Sequence, residues 1–150
     1  MILYVDTSAL GGAYLGDEAD GAWMNELLFG SPDPVITCEL TDVEFASVLA
    51  RARRDGRIDE AALVDRREAY EADTADDGPI GVAPLTRDAF RTAQAFVSQT
   101  SIRTLDALHL AAARVLAEGG DGEVAIVTRD SRQGAAAAAL GFTLHPRSAQ

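Results

Sequence analysis

"ILYVDTSAL", residues 2–10, joins four apolar residues to a carboxylate, two hydroxyl residues and a short apolar run. The apolar residues predict a buried strand over 2–5, which places Asp6 at its C-terminal end. In open parallel α/β sheets, ligands bind at that end of the strands. An aspartate there can also cap the helix that follows, which we expect to begin near Ala9. On this stretch alone both interpretations of Asp6 stay open.

Outward from this stretch, strand and helix signals alternate along the chain. Strands are predicted at 2–5, 34–37, 80–85, 123–127 and 142–145. Helices are predicted at 9–15, 18–29, 40–55, 59–75, 87–98, 105–117 and 131–139, with N-caps at Thr37, Asp59 and Thr86. The acidic stretch "EADTADDGP", 71–79, is expected to be a mobile loop. This alternation predicts one α/β domain over residues 1–150, with a central parallel sheet of about five strands covered by helices on both faces.

The composition narrows the possible chemistry. The chain has 150 residues and a net charge of −11, from 24 acidic and 13 basic residues, and it contains no lysine. Cys38 is the sole cysteine, so an intramolecular disulfide and a cysteine-based zinc site are excluded. No apolar run approaches the roughly 20 residues of a membrane span, and no signal peptide is evident, so a cytoplasmic protein is expected. Strong acidity disfavours nucleic acid as a partner, unless an acidic cluster binds metal ions that face the phosphates.

Four carboxylates lie in apolar contexts where a charge is unfavourable without a purpose. Two follow predicted strands and two lie on apolar helices: Asp6, Asp130, Glu44 and Asp106. The predicted architecture can bring all four to one edge of the sheet, where like charges repel until protons or a cation neutralise them. Oxygen ligands without a nearby cysteine or histidine favour Mg²⁺ or Mn²⁺ over zinc. The set therefore predicts a site for one or two such ions.

Each carboxylate also has an ordinary explanation. Helix capping is the alternative for the two acids at strand ends. Glu44 can be an edge residue that pairs with Arg51 or another arginine. Asp106 can be a first-turn acid favoured by the helix dipole, with Thr104 as the cap.

Four sequence blocks, in order and at characteristic spacings, resemble the PIN-domain family. They are "YVDTSAL", "ELTDVEFASVLAR", "RTLDALHLAAA" and "VTRD…AAAALGF", and the resemblance runs from Ile2 to about Pro146. Within the family they are most similar to the VapC toxins of toxin–antitoxin pairs. The resemblance implies a PIN-like three-layer fold and an acidic quartet at Asp6, Glu44, Asp106 and Asp130. It also implies Mg²⁺- or Mn²⁺-dependent cleavage of RNA, inhibition by a VapB-like antitoxin, and a homodimer.

Three further residues are expected to support this site. The resemblance implies that Thr128, and more weakly Ser8, assist the carboxylates, although both can be turn hydroxyls. Arg103 lies close in sequence to Asp106 and is the arginine expected to meet a phosphate near the metal ions. Gly11 and Gly12 follow "DTSAL" where many relatives carry a bulky or basic residue.

The remaining distinctive residues have structural interpretations. The densest basic cluster is predicted to be a solvated helix face that complements the helix dipole, with RNA contact as the alternative: Arg51, Arg53, Arg54 and Arg57. His109 is expected to be satisfied locally on its helix, and Cys38 to be a small buried apolar residue. The apolar face at 23–29 is expected to pack in the core, with an antitoxin groove or a dimer contact as the alternative.

Other functional classes agree less well with the residues. A phosphatase with an aspartate nucleophile wants a second acid two residues after Asp6, where Ser8 stands, and a receiver domain relies on a lysine that the chain lacks. A PIN nuclease of RNA processing without an antitoxin, and a silent PIN-like binding module, stay open as alternatives.

Overall fold

The computed structural model describes residues 1–16, 21–120 and 122–148. In these ranges the strands form one parallel sheet in the order β3-β2-β1-β4-β5. The strands are β1 (Ile2–Val5), β2 (Val35–Cys38), β3 (Ile80–Ala83), β4 (Val124–Val127) and β5 (Thr143–Leu144). The predicted parallel sheet of about five strands is confirmed, and the third strand stops before Pro84, which has no N–H to continue a ladder.

Helices connect the strands and cover both faces of the sheet. They are α1 (Thr7–Leu15), α2 (Gly21–Gly30), α3 (Leu40–Arg54), α4 (Glu60–Asp73), α5 (Arg87–Gln99), α6 (Thr104–Gly119) and α7 (Ser131–Ala139). Asp59 and Thr86 cap α4 and α5 as predicted. The predicted cap at Thr37 is wrong, because Thr37 lies within β2 and its hydroxyl is 2.7 Å from Thr41 Oγ1. Residues 18–20 of the predicted second helix lie outside the described residues.

The central strand β1 divides the core into two layers. Leu3 and Val5 pack in one cluster with Phe45 of α3, whereas Tyr4 packs in the other with Leu110 of α6. Successive side chains of a strand point to opposite faces, so alternate residues of β1 serve the two layers. This arrangement confirms the three-layer α/β fold, and it gives β1 a buried C-terminal end between β2 and β4.

The segment 71–79, predicted as a mobile loop, begins inside helix α4. Helix α4 continues to Asp73, so the prediction of a loop from residue 71 is wrong for its first three residues. Tyr70 is buried and its ring centroid lies 4.6 Å from that of Phe45, which anchors the last turn of α4 to the core. Beyond the helix, Gly78 N–H donates to Ala75 O at 2.8 Å and closes a turn.

None of the helices in the described ranges combines the length and the apolar character that crossing a bilayer requires.

Candidate active site

An open cleft of about 450 Å³ lies at the C-terminal edge of the sheet, between α3 and α6. All four carboxylates singled out in the sequence line it, together with Ser8 and Arg103: Asp6, Glu44, Asp106 and Asp130. Two come from the ends of β1 and β4, which are neighbours in the sheet. The other two come from helices that flank this edge. The structure therefore brings together residues that are up to 124 positions apart in the sequence.

Asp6 is buried at the end of β1, with only 1% of its surface exposed. Its Oδ1 accepts hydrogen bonds from Ala9 N–H at 3.0 Å and from Ser8 Oγ at 2.7 Å, while Thr128 Oγ1 donates to Oδ2 at 2.5 Å. Asp6 thus caps α1, which begins at Thr7 rather than Ala9. Burial raises the pKa of Asp6 even though these donors oppose the shift. The capping role and a place in the cleft coexist.

Thr128 and Ser8, the two supporting hydroxyl residues, tie the ends of β1 and β4 together. Thr128 Oγ1 accepts from Asp130 N–H at 3.0 Å while it donates to Asp6. Ser8 Oγ accepts from Arg129 N–H at 2.9 Å. The two hydroxyl groups therefore fix one strand-end acid relative to the segment that carries the other.

Arg103 bridges two of the four acids. Its Nε lies 2.7 Å from Asp106 Oδ2, and its Nη2 lies 2.9 Å from Asp130 Oδ2. These two carboxylates raise the pKa of Arg103 above its usual value. Asp106 does lie in the first turn of α6, but the cap at Thr104 offered with that alternative is wrong: Thr104 is the first helical residue, and the preceding Arg103 makes no side-chain cap. Asp130 caps α7 with its other oxygen, Oδ1.

Glu44 is held from the opposite side of the cleft. Its Oε1 accepts from Thr7 Oγ1 at 2.8 Å and lies 2.5 Å from His109 Nε2. Glu44 therefore bonds to Thr7 and His109 and not to Arg51, which the sequence offered as an alternative partner. Burial acts to raise the pKa of Glu44, but the contacts with His109 and Thr7 outweigh it and lower the pKa.

The local role predicted for His109 is wrong, because its partners lie on other elements. Its Nδ1 lies 3.1 Å from Tyr4 Oη and 3.6 Å from Cys38 Sγ, whereas Nε2 faces Glu44. Burial acts to lower the pKa of His109, but the contacts with Cys38 and Glu44 raise it to about 10. Cys38 is buried as expected, yet it faces a polar partner. The i, i+3 spacing of Asp106 and His109 is the sequence signal that places both on one face of α6.

The basic cluster at the C-terminal end of α3 and just beyond it divides into two parts. All four arginines are exposed, as a solvated helix face requires: Arg51, Arg53, Arg54 and Arg57. Arg53 Nε lies 2.6 Å from Glu60 Oε2, whereas Arg51 lines the acidic cleft. Arg51 is therefore the member of the cluster placed beside the candidate site.

The side chains of the cleft are of the type that binds a hard divalent cation, but they are not arranged around a common point. Among residues 1–16, 21–120 and 122–148, no three His, Cys, Asp or Glu side chains form a group ready to hold a metal ion. Arg103 forms ion pairs with Asp106 and Asp130, and His109 contacts Glu44. Four carboxylates in one cleft nevertheless supply the oxygen ligands that Mg²⁺ and Mn²⁺ prefer. Arg103 contacts Oδ2 of both Asp106 and Asp130, so a cation bound between these two oxygens would compete with its guanidinium.

Comparisons with known proteins agree with this fold. The family model of the PIN domain matches residues 3–139, so the chain belongs to the PIN-domain family. The fold is similar to the crystal structure of VapC20 from Mycobacterium tuberculosis, a toxin that cleaves the sarcin–ricin loop. The two share 21% identity and a TM-score of 0.66, over 94% of this chain and 96% of the other. Comparison with curated protein sequences gives no match.

Proposed function

We propose that this chain is a Mg²⁺- or Mn²⁺-dependent endoribonuclease, formed by one PIN domain over residues 1–150, and that it is the toxin of a toxin–antitoxin pair. The observation that carries the proposal is the convergence of four carboxylates in one cleft at the C-terminal edge of a PIN-type sheet. The likeness in fold to a VapC toxin supports the toxin role.

In this proposal the four carboxylates hold the metal ion: Asp6, Glu44, Asp106 and Asp130. When bound, the cation would activate water and offset the negative charge that develops on the phosphate. Thr128 and Ser8 keep Asp6 in place through their hydrogen bonds. Arg103 lines the cleft, and its guanidinium, when released from these two carboxylates, would be available to an RNA phosphate.

RNA and a basic antitoxin segment are the partners proposed for the cleft. The net charge of −11 favours a cationic segment of an antitoxin. Val43 and Leu105 also line the cleft and are 70% and 48% exposed, so they offer apolar contacts beside the acids. A homodimer is proposed as well, because Phe90 and Val97 are exposed seven residues apart on α5. The cytoplasm, where RNA and the antitoxin would be made, is the compartment that this activity requires.

Cleavage of RNA by matched variants tests the proposal. The purified chain is incubated with Mn²⁺ and two RNAs, one containing a sarcin–ricin loop and one unstructured. We expect Glu44→Gln and Asp106→Asn to lower cleavage by about a hundredfold or more, because each removes an anionic ligand. Asp88→Asn makes the same chemical change at an exposed acid of α5 and should cleave normally.

Chelation of the metal completes this test. EDTA should abolish cleavage, and added Mn²⁺ should restore it. Equal cleavage by wild type and both site variants, or cleavage that persists in EDTA, would refute the nuclease proposal and leave a PIN-like binding module. Cleavage without growth arrest on induced expression, and without a neighbouring gene for a DNA-binding antitoxin, would indicate an RNA-processing nuclease instead.

A further inference from the structure

A buried polar network extends from the cleft into the core, and its centre is His109. This imidazole lies on α6 and is only 2% exposed, yet both ring nitrogens face polar groups of other elements. Buried polar groups stabilise a structure only when they are well paired. Core packing alone would be served by an apolar side chain at this buried position, whose immediate neighbours on α6 are apolar.

The contact with Glu44 is specific in its geometry. His109 Nε2 and Thr7 Oγ1 both approach Oε1 of Glu44, at 2.5 and 2.8 Å. Both contacts fall on one oxygen, so within the described part of the chain Oε2 is the oxygen left for a ligand in the cleft. The two partners come from α6 and α1, so contacts from two different helices fix the position of Glu44.

The other ring nitrogen of His109, Nδ1, also has polar partners. Nδ1 lies 3.1 Å from the hydroxyl of Tyr4, a fully buried residue of the central strand. Cys38 Sγ, at the end of β2, lies 3.6 Å from the same nitrogen. Residues of the sheet therefore fix the orientation of the ring, and the ring in turn contacts Glu44 at the edge of the cleft.

We propose that His109 is a positioning residue of the proposed nuclease site: its imidazole holds Glu44 so that the free oxygen of the carboxylate is presented to a cation in the cleft. This inference rests on the function proposed above. A free glutamate loses rotamer entropy when it is fixed by a ligand. A glutamate already fixed by His109 and Thr7 loses less when a ligand binds.

Glutamine and asparagine at position 109 separate positioning from a structural role. His109→Gln places an amide nitrogen near the position of Nε2 and can still donate to Glu44. His109→Asn places its amide near Nδ1, where it can reach Tyr4 but not Glu44. Both variants keep a polar side chain in the same buried site, so they are matched controls for folding.

The measurements are the dissociation constant for Mn²⁺ alone, from a titration of free Mn²⁺ by electron paramagnetic resonance, and the melting temperature without metal. We expect His109→Gln to bind Mn²⁺ within about threefold of wild type and His109→Asn to bind it about tenfold or more weakly, as when outer partners of metal ligands are lost. The melting temperatures of the two variants should be alike. If the variants bind Mn²⁺ equally, whether normally or weakly, the positioning role is refuted.

A double-mutant cycle with Glu44→Gln shows whether His109 acts through Glu44. In the Glu44→Gln background, His109→Asn should change Mn²⁺ affinity by less than about twofold, and a full tenfold loss there would overturn the inference. Should His109→Asn fail to fold, Tyr4→Phe serves in the same cycle. It should weaken Mn²⁺ binding a few-fold in the wild-type background alone, and an equal effect in both backgrounds, or none in either, refutes the inference.

The wild-type protein in the same titration separates the two proposals. If it binds Mn²⁺ and cleaves RNA while the cycle shows no coupling, the nuclease proposal stands and the role of His109 is refuted. If it neither binds Mn²⁺ nor cleaves RNA, the nuclease proposal itself falls, and the positioning role falls with it.

Discussion

Arg103 Nη2 donates to Asp130 Oδ2 at 2.9 Å and so links the start of α6 to the start of α7 across the acidic cleft. The same guanidinium donates from Nε to Asp106 Oδ2 at 2.7 Å. The side chain of Arg103 is 59% exposed, so it is free to leave without disturbing the core. Two of the four acids are thus paired with a cation of the chain itself, and a divalent metal ion at these oxygens would compete with it.

Replacement of Arg103 should therefore strengthen metal binding. We expect Arg103→Gln to bind Mn²⁺ a few-fold more tightly, because the competing charge is gone and partly exposed ion pairs are individually weak. The same variant should show a raised KM for RNA with a smaller change in kcat, since a phosphate contact is lost. A Mn²⁺ titration and steady-state cleavage measure the two effects.

Arg91→Gln is the matched control for this prediction. Arg91 is an exposed arginine of α5 whose Nη1 lies 3.3 Å from Asp88 Oδ1. Its replacement removes the same charge away from the cleft and should change neither constant. Weaker Mn²⁺ binding by Arg103→Gln would show that Arg103 assembles the acids rather than competing with the metal ion.

Replacement of Asp6 should separate activity from stability. Burial raises the pKa of Asp6, which means that its ionised form is unfavourable in the folded protein without a metal ion. Asp6→Asn keeps an oxygen for the N–H of Ala9 and removes the buried charge. We expect RNA cleavage to be lost while the melting temperature in metal-free buffer rises by a few degrees.

Asp59→Asn provides the control for the capping role. Asp59 caps α4 through Ala62 N–H at 2.8 Å, but its carboxylate is exposed. Since asparagine and aspartate are similar as caps, this variant should keep both its stability and its cleavage. A melting temperature of Asp6→Asn several degrees below wild type would mean that the charge of Asp6 stabilises the metal-free fold.

The features that the sequence predicted are those set by local pattern and by parallel topology. Asp6 and Asp130 end strands, and parallel strands that are neighbours bring their C-terminal ends together, so their convergence follows from the pattern of elements. The partners of His109 lie 65 and 105 positions away, and no local pattern reports such contacts. The second contact of Arg103, 27 positions away, was beyond prediction for the same reason.

Thr37 shows how a local signal misleads. A threonine before an apolar helical stretch is typical of an N-cap. Here its hydroxyl instead faces Thr41 Oγ1, while the strand β2 continues through Thr37 to Cys38. Pairing of β2 with β1 and β3 decided the outcome, and a single sequence does not display that pairing.

The turn after α4 should be sensitive to a single methyl group at Gly78. A Cβ atom there would lie 2.2 Å from the carbonyl oxygen of Asp73, a backbone atom that cannot move aside cheaply. We expect Gly78→Ala to destabilise the protein by about 1–3 kcal/mol, seen as a drop of several degrees in the melting temperature. At Gly119 a Cβ would meet nothing within 4 Å, so Gly119→Ala should not lower stability. Unchanged stability of Gly78→Ala would mean that the backbone after α4 can shift to make room for the methyl group, as a mobile loop would.

Alkaline titration should report the burial of the tyrosines. The chain has three, and all have a raised pKa: Tyr4, Tyr14 and Tyr70. Burial is the main cause for each, and Tyr14 and Tyr70 also donate to carboxylates, Asp73 and Asp42, at 2.6 and 2.7 Å. Ionisation of either would place a second negative charge against an acid.

The sign of the resulting pH dependence follows from linkage. The pKa of each tyrosine in the folded protein lies above the value of about 10 in an unfolded chain, so the stabilisation is complete below that pH. As the pH rises above it, the unfolded chain ionises first and the folded state loses stability. We expect the near-ultraviolet absorbance of tyrosinate to appear together with the loss of helical circular dichroism, in one transition. Tyrosinate that appears near pH 10 while the helical signal is intact would show that these hydroxyls are not held as the structure has them.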